Sequence, residues 1–420
     1  MKREILSVVI FILLLPLIAR AEEISLTLDE AVSIALRDNR DILLKGEDLN
    51  KAKLKIAEAQ AGLLPTLTFT GGWTRTQGYY GKDLGQTTTQ ATLKQYLYKG
   101  GSIVNTIKYN KDNLRVTQAI LDKTRLEIVL NVKKAFFTLL LANDFANLNR
   151  EILVNTREHL EATRLRYEQG QVSESDILKI KQSQAVVEEA YAASLNQVES
   201  ARAILNNLLY LDGAVQIKPK GEFIYEPREI AYDASFLTAM RTRPEIRQYE
   251  AQEEANKKAI EITKAGTRPS ISAAWDYYSR SHLAATSTKN WNDYNVIGLT
   301  FSWPIFDGWA TKAKVEQAIV DLKEARLLKE KTVKDIALEL KNAYLDLKDS
   351  LAEIKYTQEQ LNLYRDTLLV NQEKYKAGQA SSLDLNDAVL GTLVSLFNQK
   401  EAIYDYVLAK ARFDKATGGL

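Results

Sequence analysis

Residues Arg166–Asp176 read RYEQGQVSESD, and residues Lys374–Asp384 read KYKAGQASSLD. The two stretches stand 208 positions apart and share Tyr, Gly, Gln, Ser and Asp at matching places. Each begins in the last four residues of a run, Ser102–Gln169 or Trp309–Ala377, that contains neither proline nor glycine. Those two residues are the usual helix terminators. Each run therefore reads as one uninterrupted helix, about 100 Å long at 1.5 Å per residue. Within the first, Ile128, Val132, Ala135, Leu139, Ala142, Ala146, Leu153 and Leu160 mark a seam at coiled-coil spacing. Phe136, Phe137, Leu140 and Leu141 add a second apolar flank. A helix with two such flanks packs on both sides, which favours a bundle or a closed ring of helices.

Working outward, the same offset relates Leu97–Gly100 to Ile305–Gly308 and Lys133–Phe136 to Lys341–Tyr344. Pro65 and Pro269 are related by 204, so the segment between differs by four residues. The expected organisation is a two-fold internal repeat. The first repeat covers 22–211, with strands about 66–98, a long helix 102–169 and a helix 174–211. The second covers 235–420, with strands about 270–304, a long helix 309–377 and a helix 382–417. Residues 212–234, with Gly213, Pro219, Gly221 and Pro227, read as a linker.

After Pro65 and Pro269 the hydrophobic period changes from 3.6 to 2. Leu67, Phe69 and Trp73 alternate with threonines, and Ile297, Leu299, Phe301 and Trp303 alternate with small polar residues. Four strands with one apolar face suit either a half-buried soluble sheet or a membrane barrel. All five tryptophans lie in or beside these segments, and Trp73, Trp275, Trp291 and Trp303 read as membrane-interface aromatics. Four strands cannot close a barrel, since about eight is the practical minimum. Open sheet edges are not tolerated in lipid. Transmembrane strands here would therefore require several subunits to share one barrel.

Residues 1–21 have the form of a signal peptide. Lys2 and Arg3 precede the apolar run Ile5–Ile18, which is too short to span a bilayer as a helix, and Ala19-Arg20-Ala21 is a small-x-small cleavage site. No later run reads as a transmembrane helix. With that segment removed, basic and acidic residues are equal in number, which argues against nucleic acid as a partner. The chain has no cysteine, so disulfides, thiol nucleophiles and Cys-ligated metals are excluded. His159 and His282 lack a second ligand at motif spacing, and no phosphate loop or hydrolase motif is present. Neither a metal, a cofactor nor an enzymatic activity is expected. An exported coiled-coil structural or adhesion protein with small soluble sheets is the alternative.

The opening Leu26-Thr27-Leu28-Asp29-Glu30-Ala31, the junction Ala59-x-x-Gly62-Leu63-Leu64-Pro65, and two Tyr-x-x-Gly turns each followed by Asp form an ordered set. In this set the chain resembles the TolC-type outer-membrane efflux proteins. The resemblance implies a mainly helical homotrimer with a shared 12-stranded β-barrel in outer-membrane lipid and a long α-helical tunnel across the periplasm. It implies a passive exit duct for efflux or type I secretion, docked to a periplasmic adaptor and an inner-membrane pump. It places adaptor contacts at the tips Gly170, Gln171, Val172, Gly378, Gln379 and Ala380. It carries Asp176, Tyr375, Asp384 and Asp387 onto a constriction.

The residues temper that transfer. Ser173-x-x-Asp176 and Ser381-x-x-Asp384 have the form of capping boxes, which need no gating role. Asp387 shares a helix face with Asp384 and has no capping role. The best-known member of that family has an arginine where Ala380 stands. Lys179, the repeat counterpart of Asp387, is the candidate to replace it by pairing with Asp384 or Asp387.

Overall fold

A computed structural model describes residues 23–79, 82–213, 215–223, 225–227, 231–283, 290–377 and 379–419. The expected signal peptide (1–21) and Gly378 lie outside the described residues. The chain divides into two compact units.

One unit takes the described residues up to Val32 together with Ala135–Glu222. It opens with strand β1 (Glu23–Leu26) and the start of helix α1 (Leu28–Asp38). The far part of helix α3 (Ser102–Glu168) and all of α4 (Glu174–Leu209) follow. Segment 212–234, expected to be a linker, contains strand β4 (Gln216–Pro219), and helix α5 (Tyr232–Thr242) starts inside it. β4 runs parallel to β1, with Ile24 opposite Ile217. Four residues that end on Pro219 and lie between Gly213 and Gly221 carry too little alternation to be read as a strand; pairing with β1 makes them one. Lys220 N donates to Leu26 O at 2.7 Å, and the buried Asn206 Nδ2 donates to Val215 O at 2.9 Å. Arg157 of α3 and Glu188 of α4 pair at 2.9 Å.

The other unit takes Ser33–Lys134 and the residues from Phe223 on. It contains α2 (Arg40–Ala61), β2 (Thr66–Tyr79), β3 (Lys82–Lys99) and the near part of α3. After α5 come α6 (Pro244–Lys264), β5 (Ser270–Leu283), β6 (Asn290–Ser302), α7 (Ala310–Lys376) and α8 (Ser382–Ala416). The strands form one antiparallel sheet in the order β2-β3-β5-β6. Among the described residues, no helix is long and apolar enough to cross a membrane.

α3 and α7 each have 67 residues and begin 208 positions apart. Both stop at the expected turns. All eight residues of the expected α3 seam are buried. On α7 the buried positions Ile336, Leu340, Ala343, Leu347, Ser350, Ile354, Thr357 and Leu361 step alternately by four and three. That is the spacing of a left-handed supercoil. This stripe packs with Ala402, Tyr406, Ala409 and Phe413 of α8, and with Ala239 and Ile246 of α5 and α6. The many alanines allow close helix approach.

The α5–α6 break is set by Pro244, which forces its predecessor out of the helical region: Arg243 has ψ 125°. The α1–α2 break, 204 positions earlier, uses different chemistry: Asn39 Oδ1 accepts from Asp41 N at 2.9 Å as an N-cap. Arg243 is 3% exposed and carries a buried polar network. Its guanidinium binds Glu245 at 3.0 Å, Glu339 at 2.7 Å and the last carbonyls of α8, Lys415 O and Ala416 O. Burial alone would raise the Glu339 carboxyl, but Lys415 and Arg243 outweigh it and hold it below the usual range.

Arg243→Ala leaves Glu245 without its partner and Glu339 with Lys415 alone, and the loss of a buried ion pair of this kind costs about 3 kcal/mol. The expected outcome is a lower midpoint in thermal unfolding, only partly restored by Arg243→Lys, which lacks the fork. A wild-type midpoint would contradict this. The sign of the pH dependence follows from Glu339: its contribution is complete above the ordinary glutamate value and fades as pH falls below about 4.

Candidate functional site

The sheet has two chemically opposite faces. Across one, Leu67, Leu93, Trp275 and Ile297 form a continuous row, each opposite the next. Phe69, Ala91 and Tyr277 form the next row, ending at Asn295. Towards the helices lie Ala273 beside Leu299 and Ile271 beside Phe301. This face is open: Phe69 is 72% exposed, Ile297 83% and Leu299 70%. Apolar rows this exposed mark a surface that water does not cover in the working protein.

The apolar rows occupy the helix-proximal part of the strands. Beyond them comes a row of Gly71, Thr89, Ser279 and Asp293, and then one of Trp73, Thr87, Ser281 and Trp291. Trp73 and Trp291 thus share a row at the outer end, while Trp275 lies among the apolar residues. Trp303 lies just past the end of β6, where its Nε1 donates to Thr267 O at 3.1 Å.

The opposite face is polar and internally bonded. Thr92 Oγ1 and Gln90 Nε2 both donate to Asp276 Oδ1, and Gln90 Nε2 also reaches Tyr278 Oη at 3.0 Å. Tyr278 stacks on Tyr294 with ring centroids 4.9 Å apart, and the Arg280 guanidinium lies over both rings. The single-strand alternation hinted at a polar face, but this network needs three strands in register and was not readable from the sequence. β2 and β6 are the sheet's edges, and each pairs with one neighbour only.

The helix ends carry the other candidate residues. Gly170, with φ +71°, ends α3 in the left-handed region that glycine favours. Gln171 N donates back to Arg166 O at 2.9 Å, and 208 positions on Gln379 N donates to Lys374 O at 2.8 Å. Gln171 and Gln379 are exposed, and Val172 and Ala380 are half-buried. Asp176 Oδ2 accepts from Ser173 N at 3.1 Å and Oγ at 2.7 Å. Asp384 Oδ2 accepts from Ser381 N at 2.8 Å and Oγ at 2.7 Å, while Asp384 N donates to Ser381 Oγ at 3.1 Å. The serine hydroxyls and then the backbone N–H groups hold both carboxyls below the usual range. Both aspartates therefore cap the helices they open. Lys179 Nζ lies 3.9 Å from Asp176 Oδ1, with both side chains largely in solvent. Tyr375 is half-buried in the last turn of α7, and Asp387 is exposed one turn into α8. Asp384 and Asp387 stand three residues apart on α8, which puts them on one side of it.

Comparison with known proteins fits this geometry. The outer membrane efflux protein family matches residues 31–209 and 238–419. The alkaline protease secretion protein AprF of Pseudomonas aeruginosa is 24% identical, over 91% of this chain and 84% of its own length. The outer membrane protein TolC of Escherichia coli is 23% identical, over 91% and 80%. Among solved structures, the CmeC outer membrane channel of Campylobacter jejuni superposes with a TM-score of 0.79 at 19% identity, covering 93% of this chain and 85% of that one. The open-state MtrE channel of Neisseria gonorrhoeae gives 0.78 at 19%, covering 93% and 89%. The family match takes in both long helices, both hairpin flanks and both capped turns, and so the chain belongs to the outer membrane efflux proteins, the channels that carry export across the outer membrane.

Proposed function

We propose that three copies of this chain build one passive duct, the exit channel of a tripartite efflux or type I secretion system. The observation that carries the reading is the four-stranded sheet with an exposed apolar face and two open edges. Hydrocarbon cannot satisfy the unpaired N–H and C=O groups of an edge strand. Four strands are too few to close, so copies must join edge to edge. Two copies would reach the minimum of about eight strands; the family resemblance makes the number three, and hence twelve. The apolar rows then meet lipid, and the face with Gln90, Asp276 and Arg280 lines the lumen. A soluble sheet would leave those apolar rows without a partner, which weighs against a coiled-coil structural protein.

Two internal repeats per copy supply the helical tunnel. Their turns at Gly170–Val172 and Gly378–Ala380 are the periplasmic tips and receive the adaptor, and an inner-membrane pump supplies the energy. The acidic pair Asp384 and Asp387 forms the constriction, and the family resemblance adds Asp176 and Tyr375 to it. Three copies set six such carboxylates around one axis, which collects negative potential and draws cations. Lys179, beside its own Asp176, is the basic residue available where the best-known family member's arginine is Ala380.

Single-channel recording tests the constriction. Asp384→Asn with Asp387→Asn is expected to raise the small resting conductance and to abolish cation preference and block by multivalent cations. Lys179→Ala is expected to change the resting conductance while leaving cation preference in place. Unchanged selectivity and block in the double variant would contradict the assignment.

Asp384 has two roles under this reading, and Ser381→Ala separates them. It removes the hydroxyl of the cap and keeps the carboxylate. Amides in the first turn of α8 are expected to exchange roughly fivefold faster, as for one lost cap. Ion selectivity should not move. In the wild type the same amides should lose protection as pH falls below about 4, because the lowered Asp384 carboxyl contributes only while ionised. A selectivity change in Ser381→Ala as large as in Asp384→Asn would assign the effect to helix capping instead of charge.

A further inference from the structure

The two hairpins are related by two fixed displacements. Helix α1 and α5 begin 204 positions apart, as do β2 and β5; β3 and β6 begin 208 apart, as do α3 and α7. The pairing follows the same displacements: Thr66 lies opposite Lys94, and Ser270 opposite Ser302. Side-chain contacts follow it too. Gln95 Nε2 donates to Leu63 O at 2.8 Å, and Trp303 Nε1 donates to Thr267 O at 3.1 Å. The four additional residues of the second hairpin fall between β5 and β6, outside the described residues.

One contact is made once and left unmade once. Gly100, with φ +59°, sits so close to the turn after α6 that a Cβ there would lie 2.8 Å from Ala265 O. Arg268 Nη1 also donates to Gly100 O at 3.2 Å. Its counterpart Gly308, with φ +67°, has nothing within 4 Å of the same position. The displaced partners of Gly308 would be Ala61 and Leu64, and this chain does not bring them there. Likewise β3 pairs with β5, whereas the equivalent pairing of β6 with β2 is absent within the chain.

We infer that a second copy of this chain supplies these partners, and that β6 pairs with β2 of the next copy in the register obtained by carrying the β3–β5 pairing through the same displacements. This rests on the shared-barrel reading and adds the register to it. Lys94 opposite Ala274 becomes Ser302 opposite Thr70 of the next copy. Leu93 opposite Trp275 becomes Phe301 opposite Gly71, and Thr92 opposite Asp276 becomes Thr300 opposite Gly72. The parity is right, since Phe301 and Leu299 stay on the face of Phe69 and Trp73; a one-residue slip would put them on the polar face. The fit is right as well: an aromatic ring covers Gly71, and Leu299 stands beside Trp73. Aromatic cover of a strand glycine is a known way to hold a register. Gly308 then meets the Ala61–Leu64 turn of the next copy as Gly100 meets Ala265–Arg268.

The chain has no cysteine, so paired cysteines can be introduced without removing any. Thr70→Cys with Ser302→Cys tests the register with two conservative changes. Directly opposite Cβ atoms lie about 4.5–5.5 Å apart and diagonal ones about 7–8 Å. Oxidation of the membrane-embedded protein is expected to join most chains into covalent dimers and trimers on non-reducing gels. Three pairs displaced by two residues serve as comparison: Thr68→Cys with Ser302→Cys, Thr70→Cys with Thr300→Cys, and Thr74→Cys with Thr300→Cys. Each should cross-link at least fivefold less. Greater cross-linking in a displaced pair would overturn the register and leave the shared barrel standing. No cross-linking in any of the four variants, each extracted from the outer membrane in folded form, would overturn the seam and the shared barrel together.

Discussion

The backbone's demand for hydrogen bonds in a medium without water constrains every other feature of this molecule. A sheet of four strands has two rows of unpaired amide and carbonyl groups, on β2 and β6. In water those rows would be solvated. Beside a face as apolar as Leu67, Phe69, Ile297 and Leu299 they cannot be. On the proposed reading, the fold is therefore incomplete as one chain. The long helices fit the same picture: α3 and α7 carry narrow apolar seams at coiled-coil spacing, as expected for staves of a larger ring.

In the proposed duct, the polar face of the sheet and the helix turns are the surfaces that meet the cargo. Gln90, Thr92 and Asp276 bond to one another, and the Arg280 guanidinium lies over the stacked rings of Tyr278 and Tyr294. At the turns, Asp176 and Asp384 are engaged as caps, so they hold a fixed position whatever else they do. A charge used for gating gains from such placement, because a carboxylate tied to its own helix start moves only when the helix moves. Asp387 lacks that tether and is the freer of the acidic pair in its geometry.

Much of this could be read from residue order. The long helices were legible because their ends coincide with Gly170 and with the Gly378 turn, and because nothing between breaks them. The strands were legible because alternation begins at Thr66 and Ser270, each directly after a proline. Strand β4 was not legible, because its four residues become a strand only through β1. The split of the first helical stretch at Asn39 was missed, although Asn before Arg40-Asp41 is a recognisable cap. Arg243 gave no signal beyond preceding Pro244; its weight comes from Glu339 and the end of α8, both distant in sequence. The acidic residues of the turns were found, and their capping geometry followed from the Ser-x-x-Asp spacing. What they face in the assembled tunnel depends on other copies, which no single chain's pattern encodes.

The central claim is that one chain is a third of a closed channel. The most direct measurement is native mass spectrometry of the mature protein extracted from the outer membrane in mild detergent. The account predicts a single species of three chains that resists dissociation until heated. A monomer, or an assembly of two or four chains as the dominant folded species, would contradict it.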